Sequence, residues 1–133
     1  MKEEPEHYSY DALMRDGRTV WSGVKNPLAQ KHLRGIRKGD RIFYYHTGKE
    51  KAVVGVARAA TDAYTDPADA TGRLAAVDVT PEKKLARPVT LAEIKADPAF
   101  AAFALVRMSR LSVMPVSADE WQRIERLSSR APA

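Results

Sequence analysis

Apolar and polar positions fall in blocks whose period changes along the chain, and the changes mark the elements. Ser9 as N-cap and Gly17 just past the end bracket a short helix. Thr19-Val20-Trp21 is a short apolar run, followed by Gly23, where the backbone can turn tightly or approach a ligand. Asn26-Pro27 then opens a second helix, expected to reach about Arg37 with Leu28, Leu33 and Ile36 as its buried stripe, before Gly39-Asp40 turns the chain out. Arg41 to His46 is aromatic and branched, Ala52 to Ala60 carries Val53, Val54, Gly55 and Val56, and the polar stretch between them predicts an antiparallel hairpin. Tyr64 to Pro67 breaks the pattern, and Ala68 to Arg73 reads as a surface loop. Leu74 to Val79 sends Val77 and Val79 one way and Asp78 the other, which predicts a third strand.

Thr90-Leu91-Ala92-Glu93 is a capping box that starts a short helix ended by Asp97-Pro98. A further helical turn is expected within Ala99 to Leu105, and a last strand around Leu111-Ser112-Val113. A second capping box, Ser117 to Glu120, precedes Trp121, Ile124 and Leu127 at helical spacing. Residues 128–133 read as a frayed tail, leaving one domain over 1–127. Strands and helices intermingle without the alternation of a doubly wound sheet, so the class is α+β.

Cysteine is absent, which excludes disulfides and thiolate metal sites. No apolar run reaches the roughly 20 residues that cross a bilayer, so the expectation is a cytoplasmic protein with no membrane partner. Charge changes the picture more. The chain has 22 Lys and Arg against 17 Asp and Glu, a net +5. Lys25, Lys31, His32, Arg34, Arg37, Lys38 and Arg41 crowd into one segment whose only acid is Asp40. Such a run is either a solvated helix face or a patch that tracks phosphates, here Lys25, Lys31, Arg34, Arg37 and Lys38.

The three histidines, at positions 7, 32 and 46, are too scattered for a local metal motif, and the glycines assemble neither a phosphate loop nor a dinucleotide fingerprint. No cofactor and no metal is expected. What remains is suited to holding a base: Trp21, Tyr44, Tyr45 and His46 offer stacking surfaces and polar tips, and the Asn26 amide both donates and accepts. The same residues also fit a plain core, with Asn26 a helix cap and one of Tyr44 and Tyr45 facing inward.

The order of motifs narrows this choice. Lys2-x-Glu4-Pro5, Tyr8-Ser9-Tyr10-Asp11, Thr19-Val20-Trp21-x-Gly23-Val24-x-Asn26, Lys38-Gly39-Asp40, Tyr44-Tyr45-His46 and Arg107-x-Ser109-Arg110-Leu111-Ser112-Val113 follow one another as in the EVE domain, a PUA-like family similar to the YTH domain, which the sequence resembles over nearly its whole length. The resemblance implies a small, strongly curved, barrel-like mixed β-sheet with peripheral helices. It also implies a cleft that recognises a modified nucleobase, chiefly in DNA, by flipping it into an aromatic and polar pocket. Carried over, Trp21, Gly23, Val24 and Asn26 match the pocket loop and Lys2, Glu4 and Pro5 the first polar turn, while Tyr45, His46, Arg107, Ser109 and Arg110 occupy matching blocks. Family members usually carry an aromatic strand ahead of the Lys-x-Glu-Pro turn, whereas this sequence starts at Met1, so either it begins at an internal methionine or its first strand is shortened, and in either case a sheet edge is open to being left unpaired. Glu3 stands where Ser or Thr is common and is expected to point away from the ligand. The expected protein is a monomeric binding module with a nucleic-acid partner. An RNA-binding module is the alternative, and an enzyme using Glu4 and His46 as an acid/base pair is a further one.

Overall fold

A computed structural model describes residues 1–129. The strands are β1 (Lys2–Glu3), β2 (Thr19–Trp21), β3 (Arg41–His46), β4 (Ala52–Ala59), β5 (Tyr64–Thr65) and β6 (Ala75–Thr90). The helices are α1 (Pro5–Tyr8), α2 (Tyr10–Asp16), α3 (Pro27–Arg34), α4 (Leu91–Ala96), α5 (Ala104–Arg107) and α6 (Ala118–Ser129), with one 3₁₀ turn at Pro98–Phe100. Strand order is β1-β3-β4-β6-β2, with β5 paired to the start of β6. Among the described strands, only β1 and β3 run parallel.

The sheet is curled into a half-barrel. In a flat sheet, side chains on β2 and β3 would stand about 14 Å apart, three strand spacings. The rings of Trp21 on β2 and Tyr44 on β3 instead meet edge to face with centroids 5.5 Å apart. Alternation along the strands then separates two cores. Ile42 and Tyr44, with Val54, Ala57, Val77 and Val79, face the concave side, where α2 and α3 add Tyr10, Leu13, Ala29 and Leu33. Phe43 and Tyr45, with Val53, Val56, Leu85 and Val89, face the convex side, closed by Ile94, Phe100, Phe103, Leu105 and Ile124. Tyr44 and Tyr45 thus do point to opposite faces.

Local capping works as the sequence implies. Ser9 Oγ accepts the Ala12 N–H at 3.0 Å, and Gly17 ends α2 at φ 76°. Thr90 and Glu93 exchange both capping-box bonds, and Ser117 and Glu120 do the same before α6.

Four expectations change. The helix α3 stops at Arg34 rather than Arg37, with Gly35 closing it. The third strand is 16 residues long and continues to Thr90. Its register against β4 shifts between Val56 and Ala57, leaving Glu82 as an extra residue, and again between Val53 and Gly55. Pro81 and Pro88 sit at these irregular stretches, where a missing N–H costs no ladder bond. No strand forms at 111–113: Leu111 and Val113 are buried, but as plugs of the concave core on a loop after α5. Residues 128 and 129, expected in a frayed tail, belong instead to α6, which runs through Ser129, and Ser128 is buried; residues 130–133 lie outside the described residues. At the first strand, β1 pairs Lys2 with Tyr45 and Glu3 with His46, and the Met1 ammonium donates to Phe43 O at 2.9 Å.

Candidate functional site

The Trp21–Asn26 loop joins the edge strand β2 to α3. Trp21 is 7% exposed, its ring fixed against Tyr44, which in turn packs edge-on against Tyr10 at 5.6 Å and His46 at 5.7 Å. The indole therefore belongs to a preset aromatic row. Tyr44 donates its hydroxyl to Tyr8 O at 2.6 Å, and burial, with the Glu3 carboxylate nearby, raises its pKa far above the ordinary value. It stays a neutral donor.

Gly23 holds φ 76°, which a side chain would strain. Asn26 Oδ1 accepts from Leu28 and Ala29 N–H at 2.9 and 3.0 Å, so the carbonyl half of the amide caps α3 while the residue stays exposed. Val24 turns inward, and its carbonyl accepts from Gln30 Nε2 at 2.5 Å. Gln30, itself buried, accepts the Ala75 N–H at 2.9 Å through its other amide atom. This bridge ties the loop to the start of β6. Gln30 positions the loop and was passed over by the sequence pattern, although a polar side chain three residues before the buried Leu33 marks it as facing inward.

The first polar turn meets the 107–112 segment. Lys2 Nζ donates to Ser109 O at 2.7 Å, and the Lys2 N–H donates to Ser112 O at 2.9 Å. Arg107, Ser109 and Arg110 are exposed on this segment, and Glu4 is exposed beside it. Glu3 does not simply point away: Oε1 accepts the Glu4 N–H at 2.9 Å and pairs with His7 at 3.1 Å.

His46 is held from both sides. Its Nε2 accepts the Tyr10 N–H at 3.0 Å and its Nδ1 lies 2.6 Å from Glu50 Oε1. An acceptor at Nε2 and a carboxylate at Nδ1 define the neutral ring with its proton on Nδ1. Both nitrogens are spent on structure, and the carboxylate partner is Glu50 rather than Glu4, so the acid/base pairing of Glu4 with His46 is not assembled. Tyr45 is likewise not brought to Trp21. It lies on the convex side under Lys2, whose Nζ is 5.9 Å from its ring centroid.

A cavity of about 510 Å³ also lies away from Trp21. It runs beside Arg41–Phe43, between Lys31 and Ile36 on one side and Pro115, Val116 and Trp121 on the other, and takes in Lys2 and Tyr45. Trp121 stacks on Phe43 at 3.6 Å, and its indole N–H has no partner among the described residues. The apolar lining suits filling by hydrocarbon better than the polar edge of a base. The mouth at Trp21, with its backbone groups and amide, is the better candidate for base recognition.

Arg41 and Arg58 pair with Glu82, Lys83 with Glu125, Arg87 with Glu93 and Arg123 with Asp119. Lys25, Lys31, Arg34, Arg37 and Lys38 have no acidic partner among the described residues. Asp40 and Asp62, the acids close by, accept instead from the Arg37 and Lys38 backbone N–H groups. Among the described residues no cluster of His, Asp and Glu is arranged to hold a metal ion.

The family model of the EVE domain matches residues 1–127. The chain belongs to the EVE domain family. It is 33% identical over 139 residues to the uncharacterized protein C21.03c of Schizosaccharomyces pombe, covering 90% of this chain and 58% of that protein. In three dimensions it resembles Rpa0253 of Rhodopseudomonas palustris, with a TM-score of 0.91 and 43% identity over 96% of this chain and 90% of that one. Human THYN1, solved in complex with DNA containing 5-methylcytosine, superposes with a TM-score of 0.90 and 26% identity over 99% of this chain and 97% of that one. The curled half-barrel with its few helices is thus the PUA-like fold of the EVE family.

Proposed function

We propose that this EVE domain is a binding module that reads a modified nucleobase in DNA, with the base flipped out of the duplex and held at the Trp21–Asn26 mouth. The observation that carries the reading is the set of uncompensated cations along α3, beginning one residue before the Asn26 cap. The human relative's complex with 5-methylcytosine DNA gives the partner class. The exposed part of the Asn26 amide supplies donors for a base edge, and Lys2, bonded to the segment on which Arg107, Ser109 and Arg110 are exposed, adds further polar contacts to the nucleic acid. Extrusion of a base costs a few kcal/mol, which stacking and edge contacts must offset. Binding rather than catalysis, a monomeric state and a cytoplasmic location complete the reading, with RNA as the alternative partner.

The experiment is a titration of matched duplexes carrying 5-methylcytosine, other modified cytosines and adenines, or no modification, alongside an RNA of equal length. At least a tenfold preference for one modified duplex is expected. Equal affinity for modified and plain DNA removes the reader function, and a preference for RNA replaces the partner.

A further inference from the structure

We infer that Arg34 and Arg73 form a second phosphate site, in the recess on the far side of the Gln30 bridge, which grips the nucleic-acid strand next to the flipped base; this rests on the nucleic-acid reading above. The recess is open, about 530 Å³, and is lined by Arg34 from the end of α3, by Tyr64 and Thr65 of β5, and by Gly72, Arg73 and Leu74 leading into β6. Arg34 Nη2 donates to the Arg73 carbonyl, which holds the two residues together and leaves the Arg73 guanidinium and the remaining Arg34 donors facing solvent.

Acids near the recess are already committed. Asp69 accepts from Thr71 Oγ1 at 2.6 Å, from Leu74 N–H at 2.9 Å and from Arg73 N–H at 3.0 Å, so it serves the loop's own donors. Asp66 accepts from the Ala68 N–H, and Asp78 is taken by Arg18 and by the Tyr64 hydroxyl. Neither Arg34 nor Arg73 has a carboxylate partner among the described residues. Two guanidinia with unspent, forked donors recognise phosphate oxygens better than they recognise a base.

Position ties the recess to the mouth. Ala75 lines the recess and donates its N–H to Gln30, whose other amide atom holds Val24 of the base loop. Along α3, Asn26 and Arg34 are separated by eight residues, or about 12 Å, which matches three to four nucleotides at about 3.4 Å each. A strand entering at Asn26 and following Lys31 arrives at Arg34 and Arg73.

The test measures affinity for plain and 5-methylcytosine duplexes across a salt series, for the unaltered chain, R34Q, R73Q and R34Q/R73Q. K95Q, on α4 against the convex core, is the control for loss of a charge elsewhere. Each lost phosphate contact lowers the slope of log affinity against log salt by about 0.9. The double variant is expected to lose between one and two such steps on both duplexes while keeping the ratio of modified to plain affinity, and K95Q to lose none. Thermal unfolding within a few degrees of the unaltered chain shows that each variant is folded. An unchanged slope in R34Q/R73Q, or a fall equal to that in K95Q, overturns the site. If the unaltered chain shows no preference for modified DNA but the slopes fall as stated, the second phosphate site stands and the base reading fails.

Discussion

Gly55 lies in the middle of β4, and its substitution by alanine tests the packing that presets the aromatic row. A Cβ built there would sit 2.5 Å from Tyr10 Cζ and 2.6 Å from both Cε atoms, closer than any real contact. Tyr10 cannot retreat freely: it is 1% exposed, its hydroxyl donates to Val56 O at 2.7 Å, and its ring meets Tyr44. Overpacking by one methyl in such a place costs about 1–3 kcal/mol, and loss of the Tyr10 hydroxyl bond adds about 1 kcal/mol. Gly55→Ala should therefore destabilise by about 2–4 kcal/mol, seen as a lower midpoint in urea at constant slope and a Tm lower by about 10 °C. Tyr10→Leu removes the clashing ring at its own cost. The double variant should then be more stable than the sum of the two single changes by at least 1 kcal/mol. Refutation has two forms: Gly55→Ala costing under about 0.5 kcal/mol, or additive effects in the cycle.

Asn26 separates capping from recognition. Asn26→Asp keeps the acceptor for Leu28 and Ala29 N–H and should leave stability within about 0.5 kcal/mol, while Asn26→Ala should lose about 1 kcal/mol. If the amide donors read the base, both variants lose the preference for modified DNA; retention in Asn26→Asp shows that the residue only caps. Acid stability checks the convex side. The Arg87 guanidinium beside Glu93, with the Thr90 backbone and side chain, holds the Glu93 carboxyl down at about 2, against an ordinary 4.5. A depressed carboxylate pKa gives stability that is complete above the unfolded value and lost as pH falls from about 4.5 toward 2. With the pair partly open to water, the contribution is about 1–2 kcal/mol. Glu93→Gln should lower stability at pH 7 and flatten its fall in that window, measured by urea midpoints at successive pH values.

Legibility followed sequence distance. Ser9, Asn26 and Thr90 bond to backbone two or three residues on, so their spacing alone locates the helix starts. The Trp21–Asn26 loop is legible for the same reason, being one contiguous stretch. The second half of β6 is not: Glu82 looks like loop until Arg41 and Arg58 arrive from two other strands to neutralise it. Leu111 and Val113 mislead in the opposite way, because alternation records which side chains are buried and not whether the backbone has a ladder partner. Tyr45 matched a pocket block by order along the chain, but strand alternation puts it on the other face from Tyr44. Gln30 and Arg73 take their partners from 45 and 39 residues away, Ala75 and Arg34, which no local pattern contains.

Under the proposed reading, the unpaired cations near α3 and the Trp21–Asn26 loop serve affinity and discrimination separately. Contacts to phosphates bind every sequence alike, whereas contacts to a base edge distinguish one base from another. The cations near α3 are long, exposed side chains, and the Trp21–Asn26 loop is held by buried bonds through Gln30 and by Tyr44 against Trp21. A preset ring loses little freedom when a ligand arrives, so its contribution is not spent on ordering. Neutralising Lys25 or Lys31 should therefore weaken modified and plain DNA by the same factor, most at low salt. Loosening the loop with Gln30→Ala should erode the ratio between the two duplexes at every salt concentration.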